Sequence, residues 1–475
     1  MNSKKNYLYV VIYNILSVIT PLITAPYISR VLGTEGVGIY SYYYAITYYF
    51  TLLAKLGLTN YGTRRIAEVK NNKKKLTEEF ASIYVMQLMV TILISIVYFL
   101  LVLITYEENR MIGLVFGIWV IGNGLNIDWF LFGIERFKET STKNMIVKIL
   151  EVMAVFILIK QLDDVWKYCL IYSLGYLITY ICFFTMGKDY LSFETLSLNK
   201  ILAHVRPCLI LMIPVIALNI YRSMDKVMLG WLTKDLNQNG LYENAEKIIY
   251  SLTMFISSLG QVMMPRMSAM LSQGKIEEVK KGITSSLSFI CFMTNAMCFG
   301  VLSVSYSLVP WFYGAAFTQS ALLMNILAVT LILIGWGNVV RTQYIIPTKR
   351  DDIYIKSISL GAILNLIINL FLIPKYGAVG ACVGTLAAEF SVPLYQSIVL
   401  RKELDIEKMF VSNLKFTFYG MIMFAILQVL QYFMGLSFKT MIIQIIAGGC
   451  IYLGLSYKYL KENMKLIYKR KDGFK

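Results

Sequence analysis

The residues with the most chemical capacity lie between Asn219 and Tyr250, where Arg222, Asp225, Lys226, Glu243, Glu246 and Lys247 sit among apolar side chains. A guanidinium offers a planar fork of donors matched to phosphate oxygens, an ammonium offers a compact point charge, and carboxylates tune such a field or carry protons. The stretch reads as two membrane helices joined by a short polar turn. Each charge at a helix centre costs about 2.5–3.5 kcal/mol on insertion scales. Three in one span would cancel most of what its Ile, Leu, Met and Val side chains gain, so they must face water or one another. At about 100° per residue, Asn219, Arg222, Asp225 and Lys226 share one face, while Ile220, Met224, Val227 and Met228 cover the rest. Glu243, Glu246, Lys247 and Tyr250 share a face of the following helix. Two polar stripes lining a hydrated cavity is the functional reading. The plainer one is local pairing at helical spacing, Arg222 with Asp225 and Glu243 with Lys247.

A second set of such residues precedes these. Tyr40, Tyr44, Tyr48, Thr51 and Lys55 fall on one helical face, and tyrosines this dense present hydroxyls and flat ring faces together, which suits contact with sugars as well as helix packing. An ammonium within a span, as at Lys55, calls for water or an anion nearby. Asn123, Asn126, Asp128, Glu135 and Arg136 gather amides and charges where a span meets the inner surface.

The elements that must hold these residues are membrane helices. Of 475 residues, 57% are hydrophobic and only 15% charged, and the mean hydropathy is +0.62, far from an ordinary soluble domain. Apolar runs of about 18 to 25 residues predict an all-α polytopic membrane protein with about fourteen spans. The first run has no clear small-residue cleavage site, so it reads as a retained span. The net charge of +17 would suit nucleic acid, but its distribution argues for a membrane. With the amino terminus inside, the inner segments hold 34 of the 45 Lys and Arg residues, the outer loops 7 and the spans 4 (Lys55, Arg222, Lys226 and Lys247). That asymmetry puts both ends inside. The basic runs Arg64 to Lys75 and Lys458 to Lys475 serve as topology anchors beside anionic headgroups.

Several functions are disfavoured. The seven cysteines are scattered through the expected spans with no CxxC pair, and they read as small packing residues with neither disulfides nor metal sites. The one histidine, His204, reads as a solvated residue of a cytoplasmic connection. No GxxxxGK[ST] loop is present, which argues against direct ATP use. The longest connection, about 20 residues near Lys188 to Arg206, leaves little room for an extramembrane catalytic domain, so a membrane glycosyltransferase or polymerase is the weakest reading. We therefore expect no catalytic residues, no metal and no cofactor.

In chain order, Pro21 and Pro26 are expected to kink the first span, and Arg30 to Tyr40 to form a glycine-rich outer turn. An internal echo follows. Gly38-Ile-Tyr40 and Gly240-Leu-Tyr242 each open an even-numbered helix and precede a basic residue, Arg64 or Arg266, by the same 26 positions. The inner loop Arg136–Lys148 has its counterpart in Arg341–Lys356. One repeat of roughly 200 residues is implied, giving lobes 1–200 and 201–405 related by an axis along the membrane normal. Residues 406–475 add two spans and a basic cytoplasmic tail.

Four segments in order carry a family resemblance. They are Arg30-Val-Leu-Gly-Thr-Glu-Gly-Val-Gly-Ile-Tyr40, Gly57-Leu with Arg65-Ile-Ala67, Trp129-Phe-Leu-Phe-Gly-Ile-Glu-Arg-Phe-Lys138, and Met224-Asp-Lys-Val-Met-Leu-Gly230 through Gly240-Leu-Tyr242. Together they resemble the Wzx-type polysaccharide flippases of the multidrug/oligosaccharidyl-lipid/polysaccharide exporter superfamily, over most of residues 1 to 400. The resemblance implies two six-helix lobes in a V around a central cationic cavity built from spans one, two, seven and eight. Alternating access there would carry a polyprenyl-pyrophosphate-linked oligosaccharide across the cell membrane for O-antigen or capsule synthesis. The residues expected to meet the cargo are Arg222, Asp225, Lys226, Lys55, Arg30, Tyr44, Tyr48 and Asn219. Glu243, Glu246, Lys247 and Asp128 are expected to serve coupling or gating, with a proton or sodium gradient as the drive. Expected partners are the lipid-linked glycan, membrane lipids, a polysaccharide polymerase and chain-length proteins, with the chain itself a monomer. A lipid II-type flippase and a multidrug or cation antiporter are the competing readings within the superfamily.

Overall fold

The computed structural model of the chain describes residues 3–106, 109–192 and 196–461; within the helices, the side chains at 3–8, 10, 11, 14, 18, 213, 214, 217, 218 and 220–222 lie outside that description. No strand occurs among the described residues. The chain forms two compact units, Met1–Glu243 and Asn244–Lys475.

The first unit holds α1 (Ser3–Lys55), α2 (Leu58–Val69), α3 (Lys73–Thr105), α4 (Arg110–Gly122), α5 (Asp128–Gly133), α6 (Phe137–Leu158), α7 (Val165–Gly187), α8 (Leu198–Ala203), α9 (Val205–Thr233) and the start of α10 (Leu236–Ser272). The second holds the rest of α10, then α11 (Ile276–Tyr313), α12 (Ser320–Ala328), α13 (Thr330–Val340), a π-helical turn at Arg341–Ile345, α14 (Asp351–Tyr376), α15 (Ala378–Leu400), α16 (Ile406–Met434) and α17 (Phe438–Leu455).

Helix α3 shows why hydrocarbon, not water, is the solvent for this fold. Its Ile92, Leu93, Ile96 and Leu100 are exposed, whereas Gln87, Thr91 and Ser95 are buried. In water that pattern would be inverted; in a bilayer the polar side chains belong inside and the apolar ones meet lipid. Eleven stretches of the described residues are long and apolar enough to cross a membrane, the first of them 55 residues long. About fourteen spans are expected from the sequence; the first stretch takes in α2 and most of α1, which breaks at Gly33, and neither α6 nor α9 is among the eleven.

The expected glycine-rich turn from Arg30 to Tyr40 narrows to one residue: the backbone of α1 leaves helical geometry at Gly33, with φ 66° and ψ −174°, and residues 34–40 are helical. Pro21 and Pro26 lie inside α1. A positive φ excludes most side chains but not glycine, so the chain concentrates its irregularity there. Likewise, the inner loops read as Arg136–Lys148 and Arg341–Lys356 are mostly helical. Residues 137–148 open α6, and the second segment is the π turn followed by the start of α14.

In the second unit, α14 and α15 approach closely through small residues. A Cβ at Gly380 would lie 2.5 Å from the Leu372 carbonyl carbon and one at Gly384 would lie 2.0 Å from Asn369 Oδ1. The last two helices pack on α11 with polar fasteners. Asn295 Nδ2 donates to Asn413 Oδ1 (2.9 Å), Thr417 Oγ1 to Asn295 Oδ1 (2.9 Å) and Tyr452 OH to the Phe292 carbonyl (2.9 Å).

Candidate functional site

Four of the charged residues singled out in the sequence meet in two pairs inside the first unit, Lys226 with Glu243 where α1, α9 and the opening of α10 converge, and Lys55 with Asp128 where α1 meets α5. Two glycines make this convergence possible. A Cβ at Gly38 would stand 1.7 Å from the Leu236 carbonyl oxygen, and one at Gly240 would stand 2.0 Å from the Thr34 carbonyl oxygen. The two halves of the Gly-x-Tyr echo therefore pack directly on each other. Beside this contact Thr34 Oγ1 donates to Asn237 Oδ1 (2.6 Å). One turn further, Ser41 Oγ donates to Glu243 Oε2 (2.8 Å), which also receives the Lys226 ammonium (2.6 Å). Both members of that pair are mostly buried, at 15% and 12% side-chain exposure. Asp225, one residue earlier on α9, accepts from Tyr242 OH (2.8 Å), while Asn239 Nδ2 donates to the Lys226 carbonyl (2.7 Å). Asn219 lies two turns back; its Oδ1 accepts from Tyr48 OH (3.0 Å) and its carbonyl from Tyr49 OH (3.2 Å).

Lys55, at the carboxyl end of α1, is bound to Asp128 Oδ2 (2.6 Å). The partner is held by a chain of contacts that begins on α3. Gln87 Nε2 donates to the carbonyls of Asn123 (2.6 Å) and Asn126 (2.9 Å), and Gln87 Oε1 accepts from Trp129 Nε1 (2.8 Å). Asn126 Oδ1 then accepts from the Asp128 backbone N–H (3.1 Å). Trp129 is fully buried and packs over Gly62, where a Cβ would come within 2.6 Å of its ring. The Trp-Phe-Leu-Phe-Gly segment is therefore a structural clamp whose first residue neighbour, Asp128, faces Lys55. The other Asp128 oxygen, Oδ1, is buried with no partner among the described residues.

The tyrosines of α1 join a larger aromatic wall. Tyr44 and Tyr48 stack at 6.1 Å with 15° between planes, Tyr44 stacks on Trp119 at 5.3 Å, and Trp119 stacks on Tyr176 at 4.4 Å. Against this wall lies a pair that the sequence reading missed, Lys148 with Glu151 (2.6 Å; 21% and 12% exposed). The Lys148 ammonium sits 5.0 Å from the Tyr172 ring centroid and 5.6 Å from that of Tyr176, within cation–π range. Lys148 read as an inner-loop residue because a basic run precedes it. The available signal was the opposite charges three residues apart inside an otherwise apolar run.

Other expected site residues are placed as follows. Arg30 is exposed on α1, and Glu246 and Lys247 are half-buried in the part of α10 that belongs to the second unit. Arg222 lies on α9, but its side chain lies outside the described residues. His204 is not the solvated loop residue expected. It is 7% exposed, its Nδ1 is 2.7 Å from Tyr61 OH, and its Nε2 is 3.9 Å from Glu79 Oε2. Glu79 itself takes a two-pronged bond from Arg65 (2.9 and 2.5 Å). Burial holds the His204 pKa below its ordinary value, with Glu79 opposing and Arg65 adding to the shift. Among the described residues no group of three or more His, Cys, Asp or Glu side chains could hold a metal ion.

The arrangement offers lysine ammonium groups inside the spans, each bound to a carboxylate on another helix or one turn away, beside tyrosine hydroxyls and an asparagine amide. It is the interior of a polytopic helical membrane protein, and its fold is shared by solved structures. The structure of lipid II flippase MurJ in an inward closed conformation superposes with a TM-score of 0.71 over 97% of this chain and 100% of that one, at 16% sequence identity. An inward-facing multidrug resistance MATE family transporter of the MOP superfamily gives 0.57 over 88% and 95%, at 12% identity. In sequence, the chain is 21% identical over 393 residues to a putative O-antigen transporter of Escherichia coli strain K12, covering 82% of this chain and 94% of that protein. A probable low-salt glycan biosynthesis flippase of Haloferax volcanii, Agl15, is 26% identical over 173 residues, 36% of each chain. Residues 3–271 match the family model described as polysaccharide biosynthesis protein. The chain belongs to that family, as a multi-pass helical membrane protein.

Proposed function

We propose that the protein is a flippase that moves a polyprenyl-pyrophosphate-linked oligosaccharide across the cytoplasmic membrane for surface polysaccharide synthesis. The observation that carries the reading is the set of lysines kept inside the spans with exchangeable carboxylate partners, Lys226 with Glu243 and Lys55 with Asp128, in a chain of the polysaccharide biosynthesis family. The acyl tail of such a cargo can stay in the bilayer, but its pyrophosphate and sugar hydroxyls cannot cross hydrocarbon without replacement partners. In the empty protein the carboxylates neutralise the ammonium groups. A pyrophosphate, with more charge and more acceptor oxygens than a carboxylate, takes their place when cargo enters. Arg222 adds a bidentate donor in this proposal, and Asn219, Tyr44 and Tyr48 serve the sugar. Glu243 and Asp128, displaced from their lysines, become the sites where a proton or sodium ion is taken up, which links cargo release to an ion gradient. Alternating access between two lobes completes the cycle.

The relatives named for O-antigen transport and glycan biosynthesis support a glycan cargo over a drug. A lipid II cargo shares the polyprenyl pyrophosphate and differs in its sugar and peptide. Proteoliposomes loaded with fluorescent polyprenyl-pyrophosphate oligosaccharide, lipid II or a cationic drug, with and without an imposed proton or sodium gradient, separate these readings. The oligosaccharide should be moved fastest; drug transport at an equal rate would refute the assignment.

A further inference from the structure

A groove of about 960 Å3 in the second unit lies between α13, α15 and the start of α16, and no residue of the site above lines it. It is at the upper end of ligand clefts, which run to about 1,000 Å3. Ile332, Trp336, Phe390, Leu394 and Ile398 form its apolar walls, and one end is closed by the 401–405 connection and the first turn of α16, which contribute Arg401, Lys402, Asp405, Glu407 and Lys408. Phe390, Leu394 and Ile398 are 45–56% exposed, so the walls open to the hydrocarbon. The charge distribution of the loops puts the 401–408 end at the inner leaflet.

The end is built, not merely basic. Glu403 is pinned by Arg350, whose Nη1 reaches both carboxylate oxygens at 2.6 Å, and by Tyr344 OH at 2.6 Å. That anchor fixes the turn carrying Arg401 and Lys402, which are exposed and form no ion pair among the described residues. Asp405 precedes α16 but makes no side-chain capping bond; it binds Lys408 at 3.1 Å. The first-turn N–H groups of this 29-residue helix are therefore left without a side-chain acceptor, at the positive end of the helix dipole. Glu407 opposes an anion there, so the lining carries one net positive charge, with Arg401 and Lys402 unneutralised. On the walls, Trp336 Nε1 is already satisfied by Ser397 Oγ (3.0 Å), leaving an apolar face.

We propose that this groove holds one anionic phospholipid of the inner leaflet, its acyl chains along the Trp336–Phe390–Ile398 wall and its phosphate between Arg401, Lys402 and the amino end of α16. An apolar trough in hydrocarbon must be filled by an acyl chain, and the unneutralised pair at its mouth selects a headgroup with net negative charge over a zwitterion whose ammonium it repels. The bound lipid bridges the helices that carry Asn413 and Ser397. This site is independent of the transported cargo.

Native mass spectrometry of the detergent-purified full chain tests it, with phosphatidylglycerol, phosphatidylcholine of the same acyl chains, and inorganic phosphate as separate probes. The wild type should retain one phosphatidylglycerol at least tenfold more tightly than phosphatidylcholine, and inorganic phosphate should not displace it. Removing both mouth charges in R401A/K402A should weaken it roughly thirtyfold, whereas K73A/K74A on the other basic surface should leave it unchanged. L394W, which fills the trough and keeps the charges, should abolish retention of either lipid. Equal affinity for the two lipids, displacement by phosphate, or unchanged retention in both R401A/K402A and L394W would overturn the proposal.

Discussion

Lys226 and Glu243 show why single residues in this interior cannot be judged alone. Removing one member of a largely buried pair strands the other charge, at a cost of about 3 kcal/mol or more, while replacing both by neutral groups of similar size is tolerated far better. We expect Lys226→Met and Glu243→Gln each to lower the thermal midpoint in detergent and the double variant to recover most of the loss. Transport should stay abolished in the double variant, because the ammonium is gone. Recovered transport would mean that Lys226 only balances charge. At this scale the sequence identified Lys55, Asp128, Lys226 and Glu243 by type and helical face. It did not identify who binds whom, because Lys55 and Asp128 are 73 positions apart and meet only through the Gln87–Asn126 clamp. Trp119, Tyr172 and Tyr176 were invisible for the same reason: an aromatic in a span packs well anywhere, and only the fold stacks these rings.

Among the elements, the contact between α1 and the start of α10 is the most exacting. Gly38→Ala must push the Leu236 carbonyl away by more than an ångström, a backbone shift that no rotamer can absorb, so it should cost about 1–3 kcal/mol and lower both the folded yield and the thermal midpoint. Gly300→Ala is the internal control, since nothing lies within 4 Å of that position, and it should be neutral or slightly stabilising in its helix. Equal stability of the two variants would remove the packing role given to the Gly-x-Tyr echo. The helices themselves were legible from apolar run length and from loop charge. Their ends were less so: residues 34–40 and 137–148 carry turn-forming or basic residues yet remain helical, because tertiary packing in hydrocarbon leaves unpaired backbone groups nowhere else to bond.

For the whole molecule, the account rests on ammonium groups inside the spans that hold a carboxylate when empty and a pyrophosphate when loaded. The direct test is reconstituted translocation of a fluorescent polyprenyl-pyrophosphate oligosaccharide by the wild type, Lys226→Arg and Lys226→Met, with expression and insertion matched. We predict translocation by the wild type, partial activity for Lys226→Arg, and at least a tenfold loss for Lys226→Met that appears with pyrophosphate cargo and not with a fluorescent phospholipid lacking it. Wild-type rates for Lys226→Met would contradict the account.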